Sequence, residues 1–71
     1  MASTEKDIKL TPHEKQVLEL MAAGKLCAEI AEELGLKLQT IKWYRMRLRE
    51  KFDATTSSEM IHKATEQGLL F

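Results

Sequence analysis

Residues 40–52, TIKWYRMRLREKF, place five cations (Lys42, Arg45, Arg47, Arg49 and Lys51) in thirteen positions and set Trp43, Tyr44, Met46 and Phe52 among them. Side chains of this kind recognise rather than transform. Lys and Arg neutralise phosphates and donate to base edges, while apolar groups meet thymine methyls. The stretch is a candidate surface for double-stranded nucleic acid. Catalysis is a poorer fit: Tyr44 or Cys27 as a nucleophile needs a base and an oxyanion site, and no such partner is evident. His13 and His62 lie far apart, with no acidic or cysteine cluster beside either, so no metal or other cofactor is expected.

The charges are unevenly spread. The 71 residues have a formal net charge of +0 at pH 7, so any attraction to a polyanion depends on placement. Residues 1–34 hold four bases and seven acids, whereas residues 35–71 hold seven bases and four acids. Within residues 37–51 six bases face the single acid Glu50. Such a local excess acts over about 10 Å at ordinary ionic strength. The length suits one small domain near the lower limit for an unstapled core. Cys27, the single cysteine, has no partner for an internal disulfide and reads as a small buried apolar residue. No apolar run approaches the ~20 residues of a membrane span and no signal-peptide core opens the chain, which points to a soluble, cytoplasmic protein.

The elements that must position this surface are helices. Residues 1–9 are polar and unpatterned, a flexible tail or linker stub. Thr11-Pro12-His13-Glu14 opens a first helix with a capping residue, a proline at its first position and the Glu of a capping box. Val17, Leu18, Met21 and Ala22 give it an apolar stripe, and Gly24 is its expected stop. A short second helix over about residues 27–34 turns Ile30, Ala31 and Leu34 inward and ends at Gly35. The third runs over about residues 38–52, with Ile41, Tyr44, Leu48 and Phe52 on its core face. Asp53 to Thr55 break it. Thr56-Ser57-Ser58-Glu59 then offers a second capping box for a last helix carrying Met60, Ile61 and Ala64 to Gly68. Residues 69–71 are expected to fold back on the core. No alternating strand pattern occurs, so the fold class is all-α, a four-helix domain.

At about 100° per residue, the face of the third helix opposite its core holds Gln39, Lys42, Trp43, Met46 and Glu50. Arg45 and Arg49 flank it on one side and Arg47 on the other, while Lys51 must reach out along its stem. A merely solvated face has no use for Trp and Met at its outermost positions. A major-groove helix does, with Lys and Gln on base edges and Arg on phosphates. A short helix, a tight glycine turn and a longer basic helix follow the order of a helix-turn-helix.

In order and spacing, LTPHEKQVLELMAAGK, EIAEELGL and TIKWYRMRLREKF resemble the LuxR-type helix-turn-helix, also named after FixJ, NarL and GerE. The family pattern is met at Leu10, Thr11, Glu14, Val17, Leu18, Gly24, Glu29, Ile30, Ala31, Leu34, Thr40, Ile41, Lys42, Lys51 and Phe52. The resemblance spans residues 10–71. It implies sequence-specific DNA binding by a transcription regulator, usually a homodimer, with the third helix as recognition helix in the major groove. Lys42, Trp43 and Met46 then occupy base-facing positions beside Gln39. Thr40, Arg45, Arg47 and Lys51 would position the phosphate backbone, together with Arg49 and Lys37. The fourth helix would be the dimer surface, through Ser58, Met60, Ile61, Lys63 and Ala64. Such domains are frequently fused to a receiver, as in two-component response regulators, or to a sensor domain. Leu26, Ala28, Lys37, Tyr44 and Ser57 depart from the usual residues, and the two lost serine caps would cost about 1 kcal/mol each. Two other readings compete: the promoter-binding C-terminal region of a sigma factor, and a protein-interaction module on the same scaffold.

Overall fold

Thr11 starts the first helix as its sequence context requires. In the computed structural model, which describes residues 9–70, Thr11 Oγ1 accepts the Glu14 N–H at 3.2 Å and Glu14 Oε1 accepts the Thr11 N–H at 3.0 Å. Four helices follow: α1 (Pro12–Ala22), α2 (Cys27–Leu34), α3 (Leu38–Lys51) and α4 (Ser57–Glu66). The expected tail, apart from Lys9, and the last residue lie outside the described residues.

The helix ends explain themselves locally. Leu26 offers α2 no side-chain cap, but Glu29 Oε1 accepts the Leu26 N–H at 2.8 Å, which preserves half of a capping box. Gly35 closes α2 at φ 69°, a left-handed conformation that a side chain would strain. Only residues 35–37 separate α2 from α3, and among the described residues no side chain caps the start of α3. Asp53, at φ 54°, ends α3 in the left-handed region that short polar side chains tolerate. At α4 the second box shifts by one residue. Thr56 Oγ1 accepts the Glu59 N–H, but the Glu59 carboxylate accepts from the N–H and hydroxyl of Thr55.

Burial ties the four helices together. Val17 and Leu18 of α1, Ile30 and Ala31 of α2, Ile41 and Leu48 of α3, Met60 and Ala64 of α4, with Phe52 and Leu70, form one core. Leu70 folds back as expected, whereas Ala22 is exposed and Tyr44 and Leu34 are only partly covered. The recognition-helix candidate α3 packs against each of the other three helices, so its backbone is held from behind along its length.

Candidate nucleic-acid interface

The outer face of α3 carries Gln39, Lys42, Trp43, Met46 and Glu50, all exposed. Trp43 is 48% and Met46 47% accessible, so two large apolar side chains stand together on this face. Leu38 at the start of α3 and Leu26 before α2 are also exposed, and sequence reasoning did not assign either to the surface.

Behind this face sits Glu14, the one buried charged residue among the described residues, 2% accessible. Its Oε1 accepts Lys51 Nζ at 2.6 Å, and its Oε2 lies 3.7 Å from Arg47 Nε. Burial raises the carboxyl's pKa. The Lys51 hydrogen bond, the Thr11 N–H and the charges of Lys51 and Arg47 outweigh that effect, so Glu14 titrates below its ordinary 4.5. The carboxylate thus joins α1 to the last two turns of α3. The sequence held a signal for it: Glu14, Val17, Leu18 and Met21 share one helical stripe, which aims an acid into the core.

The geometry corrects several assignments. Lys51 does not reach outward, because its ammonium is held by Glu14 and by the Lys9 carbonyl at 3.0 Å. Arg45 is half-buried rather than flanking the outer face, since it lies about 40° around the helix from Ile41. Its Nη1 lies against Cys27 Sγ at 3.4 Å, and its buried Nε has no hydrogen-bond partner among the described residues. Arg49 donates to the Thr55 carbonyl at 3.3 Å. Lys37 and Lys42 stay exposed and make no ion pair among the described residues, while Thr40 is partly covered. Arg47 remains half-exposed, its guanidinium 4.9 Å from the Trp43 ring centroid. The Trp43 ring meets Tyr44 edge-on at 5.2 Å, and Tyr44 lies 6.1 Å from the His13 ring of α1.

On α4, Met60 and Ala64 cannot serve a dimer surface through their side chains, because both are fully buried in this chain's own core. Lys63 is engaged as well, donating to the Phe52 and Asp53 carbonyls at 3.2 and 2.8 Å and so satisfying the end of α3. Ser58 is exposed and Ile61 half-buried.

A short helix, a three-residue turn and a longer helix with an exposed, polar-and-aromatic outer face define a helix-turn-helix domain. The family model for bacterial regulatory proteins of the luxR family matches residues 9–64, and the chain belongs to that family. It is a LuxR-type DNA-binding domain of transcription regulators and not an enzyme. Over 59 residues it is 42% identical to the transcriptional regulatory protein DesR of Bacillus subtilis, covering 83% of this chain and 30% of DesR. Over 61 residues it is 38% identical to the transcriptional regulatory protein MctR of Rhizobium johnstonii, covering 86% of this chain and 28% of MctR. The chain therefore spans under a third of the length of these relatives. Among solved structures, VqmA of Vibrio cholerae in complex with ligand and DNA is similar at a TM-score of 0.84 and 33% identity, over 94% of this chain and 30% of VqmA. The transcription factor GerE shares the fold alone, at a TM-score of 0.83 and 19% identity, over 87% of this chain and 92% of GerE.

Proposed function

We propose that the outer face of α3 reads double-stranded DNA in the major groove and that the chain is the sequence-specific output domain of a cytoplasmic transcription regulator. The observation that carries this reading is the joint exposure of Gln39, Lys42, Trp43 and Met46 on one face of a helix whose other side packs on α1, α2 and α4. Lys42 and Gln39 donate to base edges, and Lys37 and Arg47 meet phosphates, with Thr40 beside them. Binding as a homodimer agrees with the VqmA dimer, and Ser58 and Ile61 are the α4 residues still open to a partner copy. DesR and MctR, both regulatory proteins far longer than this chain, support an N-terminal receiver or sensor domain in the full-length protein. Among the described residues no helix is long and apolar enough to cross a membrane.

Fluorescence anisotropy with a mixed-sequence duplex at low salt tests the reading. Binding is expected, with log affinity falling against log salt at a slope of about −2 to −3 per protomer, since each phosphate contact contributes about −0.9. Lys42→Ala is expected to weaken a selected duplex by about 1–3 kcal/mol and to weaken random duplex less. Equal losses on both duplexes contradict base readout by Lys42. A second reading, a protein-docking module, is favoured by the exposure of Leu26, Leu38, Trp43 and Met46 and by the engagement of Arg45, Arg49 and Lys51 within the domain. Absence of duplex binding at low salt decides for it.

A further inference from the structure

We propose that Trp43 is a pre-organised reader of the pyrimidine 5-methyl group, so that the preferred duplex carries thymine against it; this rests on the DNA-binding reading above. A half-exposed indole on a helix ordinarily samples several rotamers. Here two contacts confine it. The Arg47 guanidinium stands over the ring at 4.9 Å, and the Tyr44 ring meets it edge-on at an interplanar angle of 67°. Arg47 is itself drawn back by the buried Glu14 carboxylate at 3.7 Å, and Tyr44 is partly covered near His13 of α1. The indole is therefore linked to the core through Glu14 and Arg47, while 48% of the residue remains accessible.

An indole offers mainly apolar surface. An indole has one N–H donor and no acceptor, so it cannot satisfy the donor and acceptor pattern of a base edge as Gln or Arg does. In the major groove the group that matches it is the C5-methyl of thymine. Met46, three residues on and 47% accessible, extends the same strip with a side chain that adapts to the methyl's position. Lys42, on the neighbouring row of α3, supplies the donor for an adjacent guanine. Holding the indole in place before binding removes an ordering cost from the contact.

The test takes duplexes enriched by the wild-type domain from a random pool and replaces thymine by uracil one position at a time. That change deletes only the methyl. At one or two positions per half-site, affinity is expected to fall about fourfold, the effect of one methyl-sized group left unburied. Trp43→Ala is expected to bind more weakly overall and to bind the thymine and uracil duplexes equally at those positions. Arg47→Ala is expected to bring the thymine-to-uracil ratio toward one. Equal wild-type affinity for thymine and uracil at every position overturns the inference and leaves DNA binding standing, and so does a ratio that survives Trp43→Ala. A full ratio in Arg47→Ala overturns the role given to the clamp. Failure of the wild-type domain to enrich or bind any duplex at low salt overturns the DNA reading itself, and this inference with it.

Discussion

Glu14→Gln removes one charge from the base of α3 while keeping the side chain's shape. An oxygen remains to accept the Thr11 N–H, so the α1 cap survives. The partners of the lost charge are the Lys51 ammonium at 2.6 Å and the Arg47 guanidinium at 3.7 Å. Breaking a fully buried pair costs about 3–5 kcal/mol. Lys51 and Arg47 are 26% and 44% accessible, so both turn partly to water and the expected loss drops to about 1–2 kcal/mol. In a domain of this size that lowers Tm by about 5–15 °C. Circular dichroism during heating and urea titration measures it. The pH dependence gives a sharper check. Because the folded carboxyl binds its proton less tightly than the ordinary 4.5, its contribution is complete above that value and is lost as pH falls through the lower folded pKa. The gap between wild type and Glu14→Gln is therefore expected at pH 7 and shrinks below pH 4.5. A variant as stable as wild type at pH 7, or a gap unchanged in acid, refutes the electrostatic role of Glu14.

Three further outcomes follow from the corrected positions. Met60→Ala empties a fully buried site and is expected to cost about 2–4 kcal/mol, with a loss independent of protein concentration; a concentration-dependent loss in urea titrations returns Met60 to a dimer surface. Arg45→Met keeps the length of the stem but removes the buried, unpartnered Nε, so urea stability is expected to stay within about 1 kcal/mol of wild type or rise; a loss above about 2 kcal/mol shows that the Cys27 contact matters more than the orphaned donor. Lys63→Met leaves the Phe52 and Asp53 carbonyls without their ammonium and is expected to cost about 1 kcal/mol, with faster amide exchange at the end of α3; unchanged exchange there contradicts the capping role.

Much of the fold was legible because it is written in local chemistry. Thr11-Pro12-His13-Glu14 announces a helix start whatever the tertiary context, and Gly35 is found in the left-handed turn that its position suggested. The spacing of Ile41, Tyr44, Leu48 and Phe52 pointed to the inward face of α3, where Ile41, Leu48 and Phe52 are buried and Tyr44 is only partly covered, and with it to the exposed Trp43 and Met46. A helical wheel gives direction, however, and not the partners of a long side chain. Arg45, Arg49 and Lys51 each found an acceptor on another segment (Cys27, Thr55 and Glu14), and nothing in their own spacing names those acceptors. Two residues that the resemblance assigned to the dimer surface, Met60 and Ala64, turn inward for a related reason. Met60 and Ala64 lie four apart on the row that closes this chain's core, so the resemblance placed outside what the periodicity already placed inside. The Glu59 carboxylate accepts from Thr55 rather than Thr56, and the Thr55 carbonyl accepts from Arg49 of α3, a partner that local spacing does not name.

The most direct measurement is a nuclear magnetic resonance titration of the labelled domain with an enriched duplex. If the outer face of α3 reads the major groove, the largest shifts fall on the amides of Gln39, Lys42, Trp43 and Met46 and on the Trp43 indole N–H, while α1 and the inward row of α4 stay near their free positions. Largest shifts on α1 or α4, with the Trp43 indole unmoved at saturation, contradict it.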